Sequence, residues 1–247
     1  MIADNENDIK HLKAIGKICA QALKKMMAHA KPGITTAELD NIGSEFLKSE
    51  GARSAPQAMY KFPGATCISI TPVIAHGIPG GYVLREGDLI NIDVSAELDG
   101  YFGDTGASMV VAKRVPEIEK MFAAARSALD KAVHAAKAGE LLNGIGKTIQ
   151  DEAKRNGYNV IFELTGHGIG KSLHEDPSAI YNFHKPDDRR ILQEGWVLAI
   201  EPFLTPGRGR IVEEKDRWSL RTADRAIAAQ FEHTVIVTKK EPIILTL

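Results

Sequence analysis

The chain has almost no cysteine. Cys19 and Cys67 are its only thiols, and two cysteines in 247 residues make no disulfide framework. No apolar run approaches the roughly 20 residues that a membrane-spanning helix needs. Met1 to Asp8 is acidic and polar, unlike a basic-then-apolar leader. Neither charge is in excess: 31 basic against 32 acidic side chains give a net charge of −1, which leaves no broad basic field for nucleic acid or anionic lipid. No Pro-, Gly- or Ser-rich linker divides the sequence, so a single domain over residues 1–247 is expected. What is present is an ordinary globular composition, 44% hydrophobic and 26% charged, in a chain long enough to bury a sizeable core. These features lead us to expect a soluble, cytoplasmic protein with no membrane or specific nucleic-acid partner.

The stretch from Asn91 to Thr105 organises the rest. Leu89 to Val94 alternates and is rich in β-branched residues, which predicts a strand. Leu98-Asp99-Gly100 predicts a tight turn, because Asp-Gly tolerates positive φ. The chain then returns through Tyr101 and Phe102 to Asp104, so two adjacent antiparallel strands each present a carboxylate, Asp93 and Asp104. Solvated turn acids are the ordinary reading of such residues. Asp93, however, sits inside an apolar strand, where an unpaired carboxylate is expensive. Two neighbouring carboxylates also repel unless a proton or a metal lies between them. A metal accounts for both features.

In chain order, Ile9, Leu12, Ile15, Cys19, Ala22, Leu23, Met26 and Met27 fall at helical spacing up to Pro32-Gly33, the methionines reading as core filler. Thr35 or Thr36 caps a second helix that runs toward Gly51. Residues 52–64 read as irregular, Cys67 to Ile70 as a strand and Thr71 to Gly81 as a loop. After Pro116 the pattern restarts, with a long Ala-rich helix over about 117–137 and another running to Gly157. A shift of 108 residues aligns Arg85-Glu86-Gly87-Asp88-Leu89-Ile90-Asn91-Ile92-Asp93 with Gln193-Glu194-Gly195-Trp196-Val197-Leu198-Ala199-Ile200-Glu201. An internal duplication is expected, with halves of about 1–115 and 116–247 related by a pseudo-twofold axis that brings Asp93 and Glu201 together.

Three more candidates lie in the second half. His167 sits within Gly166-His167-Gly168-Ile169-Gly170, a glycine-rich turn after the strand-like run Tyr158 to Leu164. Glu201 ends the apolar run Val197 to Ile200, and Glu232 lies within a strand-like run over Ala228 to Val237. Each alone is more often a salt-bridged or exposed group. Together, Asp93, Asp104, His167, Glu201 and Glu232 give four carboxylates and one imidazole, a donor set for two divalent ions of the Mn, Fe or Co type rather than for zinc. Paired ions of this kind activate water and polarise a carbonyl, which is the chemistry of hydrolysis. Gly170-Lys171-Ser172 ends like a phosphate-binding loop, but Thr165 stands where that motif needs its first glycine.

The motifs Ala75-His76-Gly77-Ile78-Pro79, Asn91-Ile92-Asp93 through Gly103-Asp104-Thr105, and Gly166-His167-Gly168-Ile169-Gly170 with His174 give the chain a resemblance, completed by Ala199-Ile200-Glu201-Pro202 and Gln230-Phe231-Glu232-His233-Thr234. Over nearly its whole length it resembles the type I methionine aminopeptidases. The resemblance implies the α+β pita-bread fold, with two related halves, a central antiparallel sheet and helices on the outer face. It implies Asp93 as a chelating ligand of one ion, Asp104 and Glu232 as bridges, and His167 and Glu201 completing the second ion, with Glu201 also shuttling a proton. His76 and His174 match histidines that hold the scissile amide and stabilise the tetrahedral intermediate. Phe62, Cys67 and Trp218 match the lining of an apolar methionine pocket, with Met59 and Tyr60 nearby, while His233 is expected to face away. The implied substrates are the N-termini of nascent polypeptides, and any docking on the ribosome would use the body of the domain. Two positions depart from the family pattern: Thr71, followed by Pro72, replaces an asparagine, and Leu173 replaces an aromatic residue before His174. The rival readings are another pita-bread peptidase, a prolidase or X-Pro aminopeptidase, and a non-catalytic peptide-binding relative.

Overall fold

The computed structural model describes all 247 residues. The first half runs α1 (Glu6–His29), α2 (Thr36–Ser49), β1 (Arg53–Ser54), α3 (Ala55–Tyr60), β2 (Cys67–Ile70), β3 (Val73–Ala75), β4 (Leu89–Leu98) and β5 (Tyr101–Val110). The second runs α4 (Pro116–Ala135), α5 (Asn143–Arg155), β6 (Asn159–Val160), β7 (Thr165–Gly168), β8 (Glu175–Tyr181) and β9 (Val197–Ile200). It continues with β10 (Phe203–Thr205), β11 (Ile211–Glu213), β12 (Leu220–Thr222), β13 (Ala229–Gln230), β14 (His233–Ile236) and β15 (Ile243–Ile244).

The apolar stripe of α1 buries Leu12, Ile15, Cys19, Ala22 and Met26 in one core, which also takes in Ile92 and Val94 of β4. In the second half, α4 and α5 bury Leu129, Val133, Ile145 and Ile149 in a core with Leu198 and Ile200 of β9. Met26 is indeed core filler. Thr35 caps α2 through a reciprocal box with Glu38, which the Thr-x-x-Glu spacing encodes. Asp99 and Gly100 take φ of 53° and 81°, as a two-residue turn between right-twisted strands requires.

Every strand pair within the sheets is antiparallel. One sheet runs β1-β4-β2 with β5 on β4; the other large sheet runs β15-β14-β9-β7-β8. They abut where β5 meets the chain around β14: Glu232 N–H donates to the Gly106 carbonyl at 3.0 Å, and Asp104 N–H to Thr234 Oγ1 at 2.9 Å. A small sheet, β11-β12-β3, covers one end.

Four local expectations are corrected. Residues 52–64 are irregular only in part, because α3 forms over Ala55–Tyr60 with Ser54 as cap and Pro56 in its first turn, where the missing N–H costs nothing. The expected loop Thr71 to Gly81 contains β3, which is held by β12. The strand expected over Tyr158 to Leu164 shrinks to β6, and His167 lies on β7 rather than on a turn. The run Ala228 to Val237 is two strands, broken at Phe231 and Glu232.

Gly77 packs so closely on β2 that a Cβ would overlap the Ile68 carbonyl oxygen and lie 2.6 Å from Ser69 Cα. Both are backbone atoms that cannot move aside. Gly77→Ala is therefore expected to destabilise the fold by about 1–3 kcal/mol, as overpacking does. Urea unfolding checks this, and a midpoint equal to the parent's would contradict it.

Candidate metal centre

Asp93 pairs with Gly106 across the β4–β5 ladder, and Asp104 pairs with Ser95. The two acids are thus diagonal neighbours on one face of the hairpin. The junction with the other large sheet brings Glu232 beside them, and β7 and β9 supply His167 and Glu201. Ligand atoms of Asp104, His167 and Glu232 all lie within 4.8 Å of one another. His167 Nε2 is 3.9 Å from Asp104 Oδ2 and 3.7 Å from Glu201 Oε1. The five side chains singled out in the sequence line a single cleft of about 280 Å³.

The tautomer of His167 is fixed by its own backbone. Nδ1 lies 3.0 Å from the Gly168 carbonyl, which can only accept, so Nδ1 carries the proton and Nε2 offers its lone pair to the cleft. Burial, with His174 and His76 nearby, pushes the imidazole pKa down to about 3. His167 is a neutral donor at any ordinary pH.

The acids behave in the opposite way. Burial pushes the Asp93 carboxyl up to about 6, opposed in part by a hydrogen bond with Asp104. Asp104 lies well above the usual carboxylate range through burial and then the charges of Glu232 and Asp93. Glu201 is raised by burial and then Asp93 and Asp104, and Glu232 by burial and then Glu201 and Asp93. Asp104 Oδ1 and Glu232 Oε1 are buried with no hydrogen-bond partner. Orphaned acceptors of this kind, beside a neutral imidazole and like charges, fit a divalent cation held by oxygen donors with one nitrogen.

Two groups that the sequence did not flag hold this set in place. Gln230 Nε2 donates to Glu232 Oε2 at 3.0 Å, and Asn91 Nδ2 donates to Gln230 Oε1 at 2.7 Å. Amides have no charge pattern to betray them, although Gln230 and Asn91 sit two residues from acids on their own runs. Thr105 Oγ1 donates to the Glu232 carbonyl at 2.8 Å.

His76 and His174 stand at the same cleft, and burial lowers both imidazole pKa values. Phe62, Cys67 and Trp218 line it together with Tyr60 and Leu173; the Phe62 and Trp218 rings meet edge to face at 5.2 Å. Met59 is exposed outside the cleft. His233 faces away, 2.9 Å from Thr246 Oγ1, into a groove between α1 and α4.

The sequence profile of metallopeptidase family M24 matches residues 10–239. The chain belongs to that family. Divalent-metal binding goes with membership. Over 247 residues the chain is 45% identical to methionine aminopeptidase 2 of Bacillus subtilis, covering 100% of this chain and 99% of that one. The crystal structure of methionine aminopeptidase from Rickettsia prowazekii superposes with a TM-score of 0.95 at 36% identity, all of both chains being covered. Prolidase from Pyrococcus furiosus shares the fold, with a TM-score of 0.80 at 23% identity, and the chain spans 65% of its length. No helix is long and apolar enough to cross a membrane.

The raised carboxyls give a pH signature to chelated protein. A carboxyl whose folded pKa lies above its unfolded value stabilises the fold at low pH and loses that contribution as pH rises through the folded value. The buried histidines, lowered from 6.5, act in the opposite sense but only below that value, where the unfolded chain protonates them. The rise in Tm that Mn²⁺ produces over EDTA-treated protein is therefore expected to grow as pH rises through about 6, the value for Asp93, where the bare carboxyls give up their protons. A flat chelated profile with no metal effect would count against the cluster.

Proposed function

We propose that the chain is a metal-dependent aminopeptidase that removes the N-terminal methionine of nascent proteins and peptides. The observation that carries this reading is a cleft that joins a buried acid–imidazole set to an apolar wall, in a chain that aligns end to end with methionine aminopeptidases. In the site we propose, Asp93, Asp104, His167, Glu201 and Glu232 would together hold two divalent ions, with Asp104 and Glu232 at the centre of the set. Mn, Fe and Co all suit this set. Divalent ions bound there supply Lewis acidity and lower the pKa of water toward neutrality.

The chain's own residues do the rest. Glu201, a carboxyl whose protonated form is favoured by burial, accepts the proton of the attacking water and delivers it to the leaving amine. His76 and His174 are neutral imidazoles at the cleft, placed to hold the scissile amide and to donate to the oxyanion as it forms. Phe62, Cys67 and Trp218 enclose the methionine side chain, whose thioether packs well against aromatic edges. The free α-amine of the substrate sits near the buried acids, which limits cleavage to a chain terminus and suits substrates with a small second residue. The enzyme would act in the cytoplasm, and contact with the ribosome would use the body of the domain. We also read residues 1–247 as one catalytic domain that arose by duplication. The order of two helices followed by strands, with an acid at or just past β4 and β9, supports that reading.

Metal-stripped protein given Mn²⁺ or Fe²⁺ should release methionine from a Met-Ala-Ser peptide and leave an Ala-Pro peptide intact. Glu201→Ala should lower kcat by at least about a thousandfold, since it removes both a ligand and the proton carrier. Cleavage of the Ala-Pro peptide alone would move the protein to the proline peptidases. No cleavage of either by metal-loaded protein would support a binding-only relative.

A further inference from the structure

The proposed chemistry asks His174 to donate a proton-bearing nitrogen to the substrate, but a neutral imidazole has two tautomers and only one presents that donor to the cleft. His167 solves the same problem with a backbone carbonyl. His174 has no such carbonyl. Its one side-chain hydrogen bond is to Tyr60, whose Oη lies 2.7 Å from His174 Nδ1.

Tyr60 is placed for this with little freedom. It is the last residue of α3, which Ser54 pins at the other end, accepting from Gln57 N–H at 3.3 Å and donating to the Ala65 carbonyl at 2.7 Å. Lys61, at φ 57°, then turns the chain so that Phe62 enters the wall of the cleft and Tyr60 stays at its mouth. The Tyr60 and His174 rings are 5.5 Å apart at 56°, and the His167 ring is 4.1 Å from His174 on another side. His174 is therefore held between a metal-set histidine and a phenol.

We infer that Tyr60 is a positioning residue: its hydroxyl donates to His174 Nδ1 and so keeps the proton of that imidazole on Nε2, where it faces the substrate. A phenol is a good donor and a poor acceptor, and an unprotonated ring nitrogen is the best acceptor within its reach, so the hydrogen bond runs from oxygen to nitrogen. The arrangement parallels an orienting group behind a catalytic histidine, with a phenol in place of a carboxylate. Such an orienter fixes a tautomer and a ring angle without touching the substrate.

The inference rests on the role proposed above for His174, and its test separates the two. In Tyr60→Phe, which removes one oxygen from a half-exposed ring, kcat on Met-Ala-Ser should fall about tenfold, with KM within about twofold of the parent and an unchanged Mn²⁺-induced rise in Tm. In a His174→Ala background the same change should cost nothing further. Histidine ¹⁵N NMR of the zinc-loaded parent should show His174 Nδ1 unprotonated and Nε2 protonated, and Tyr60→Phe should show mixed tautomers. A parent-like kcat, an equal loss in both backgrounds, a change confined to KM, or a protonated Nδ1 in the parent would each overturn the assignment. If the parent releases no methionine at all, the proposed function fails, and the NMR tautomer still decides the Tyr60–His174 bond.

Discussion

Four carboxylic acids share one cleft, and their burial and mutual repulsion are the constraint to which the surrounding structure answers. Like charges about 4 Å apart repel by roughly 4 kcal/mol at the effective dielectric of a protein near its surface. Burial adds a desolvation cost for each. Without a cation the acids coexist by keeping protons: burial raises Asp93 to about 6, and burial and then the neighbouring acids hold Asp104, Glu201 and Glu232 well above the usual carboxylate range. Even then Asp104 Oδ1 and Glu232 Oε1 stay unpaired. The protein places no lysine or arginine against the cluster. Such a cation would neutralise the acids permanently and close the site to a metal.

The hydrogen bonds nearby instead fix where the acids stand. Thr234 exchanges bonds with both the N–H and the carbonyl of Asp104, at 2.9 and 2.7 Å. Thr105 and Gly106 engage the backbone of Glu232, and the Asn91–Gln230 pair orients its carboxylate. Nearly all of these bonds cross the junction between the two large sheets. Asp93 and Asp104 come from one side of the junction; His167, Glu201 and Glu232 come from the other. Neither half contains a usable set by itself, so the geometry of the centre is the geometry of that junction.

Much of this was legible in the sequence, and the reasons are physical. An acid inside an apolar alternating run is costly enough to stand out, which exposed Asp93, Glu201 and Glu232. The Asp-Gly turn then fixed the hairpin that returns Asp104. The glycines around His167 misled, because they read as a turn. Gly166 and Gly168 are small because the carbonyls of Ala199 and Asp176 press on them, and both lie within a strand. The helix α3 was hidden by Pro56, which breaks a helix interior but suits a first turn. The three residues of β3 carry too little pattern to be seen without β12. Tyr60 and Asn91 act through partners distant in sequence, Gln230 links Asn91 to Glu232, and none of the three carries a charge that would mark its role.

The small sheet at the end of the cleft ties recognition to chemistry. Trp218 sits just before β12, on a turn in which Asp216 Oδ1 accepts the N–H groups of Trp218 and Ser219, each at 2.8 Å. β12 pairs with β3, Leu220 opposite Ala75, and the next residue along β3 is His76, which is held at φ 53°. On the other side of the turn, Gly77 N–H donates to Ser69 Oγ on β2 at 3.0 Å, and β2 carries Cys67 directly across from Asp93. The aromatic wall, His76 and Asp93 are thus successive stations on one hydrogen-bonded path. Phe62 packs edge to face on Trp218 at 5.2 Å and so ties the other side of the wall to the same turn. Trp218 and His76 each lie within two residues of the Leu220–Ala75 pair of β12 and β3. The placement of the aromatic wall and the placement of His76 are one structural variable in this fold, because the same pairing of β12 with β3 sets both.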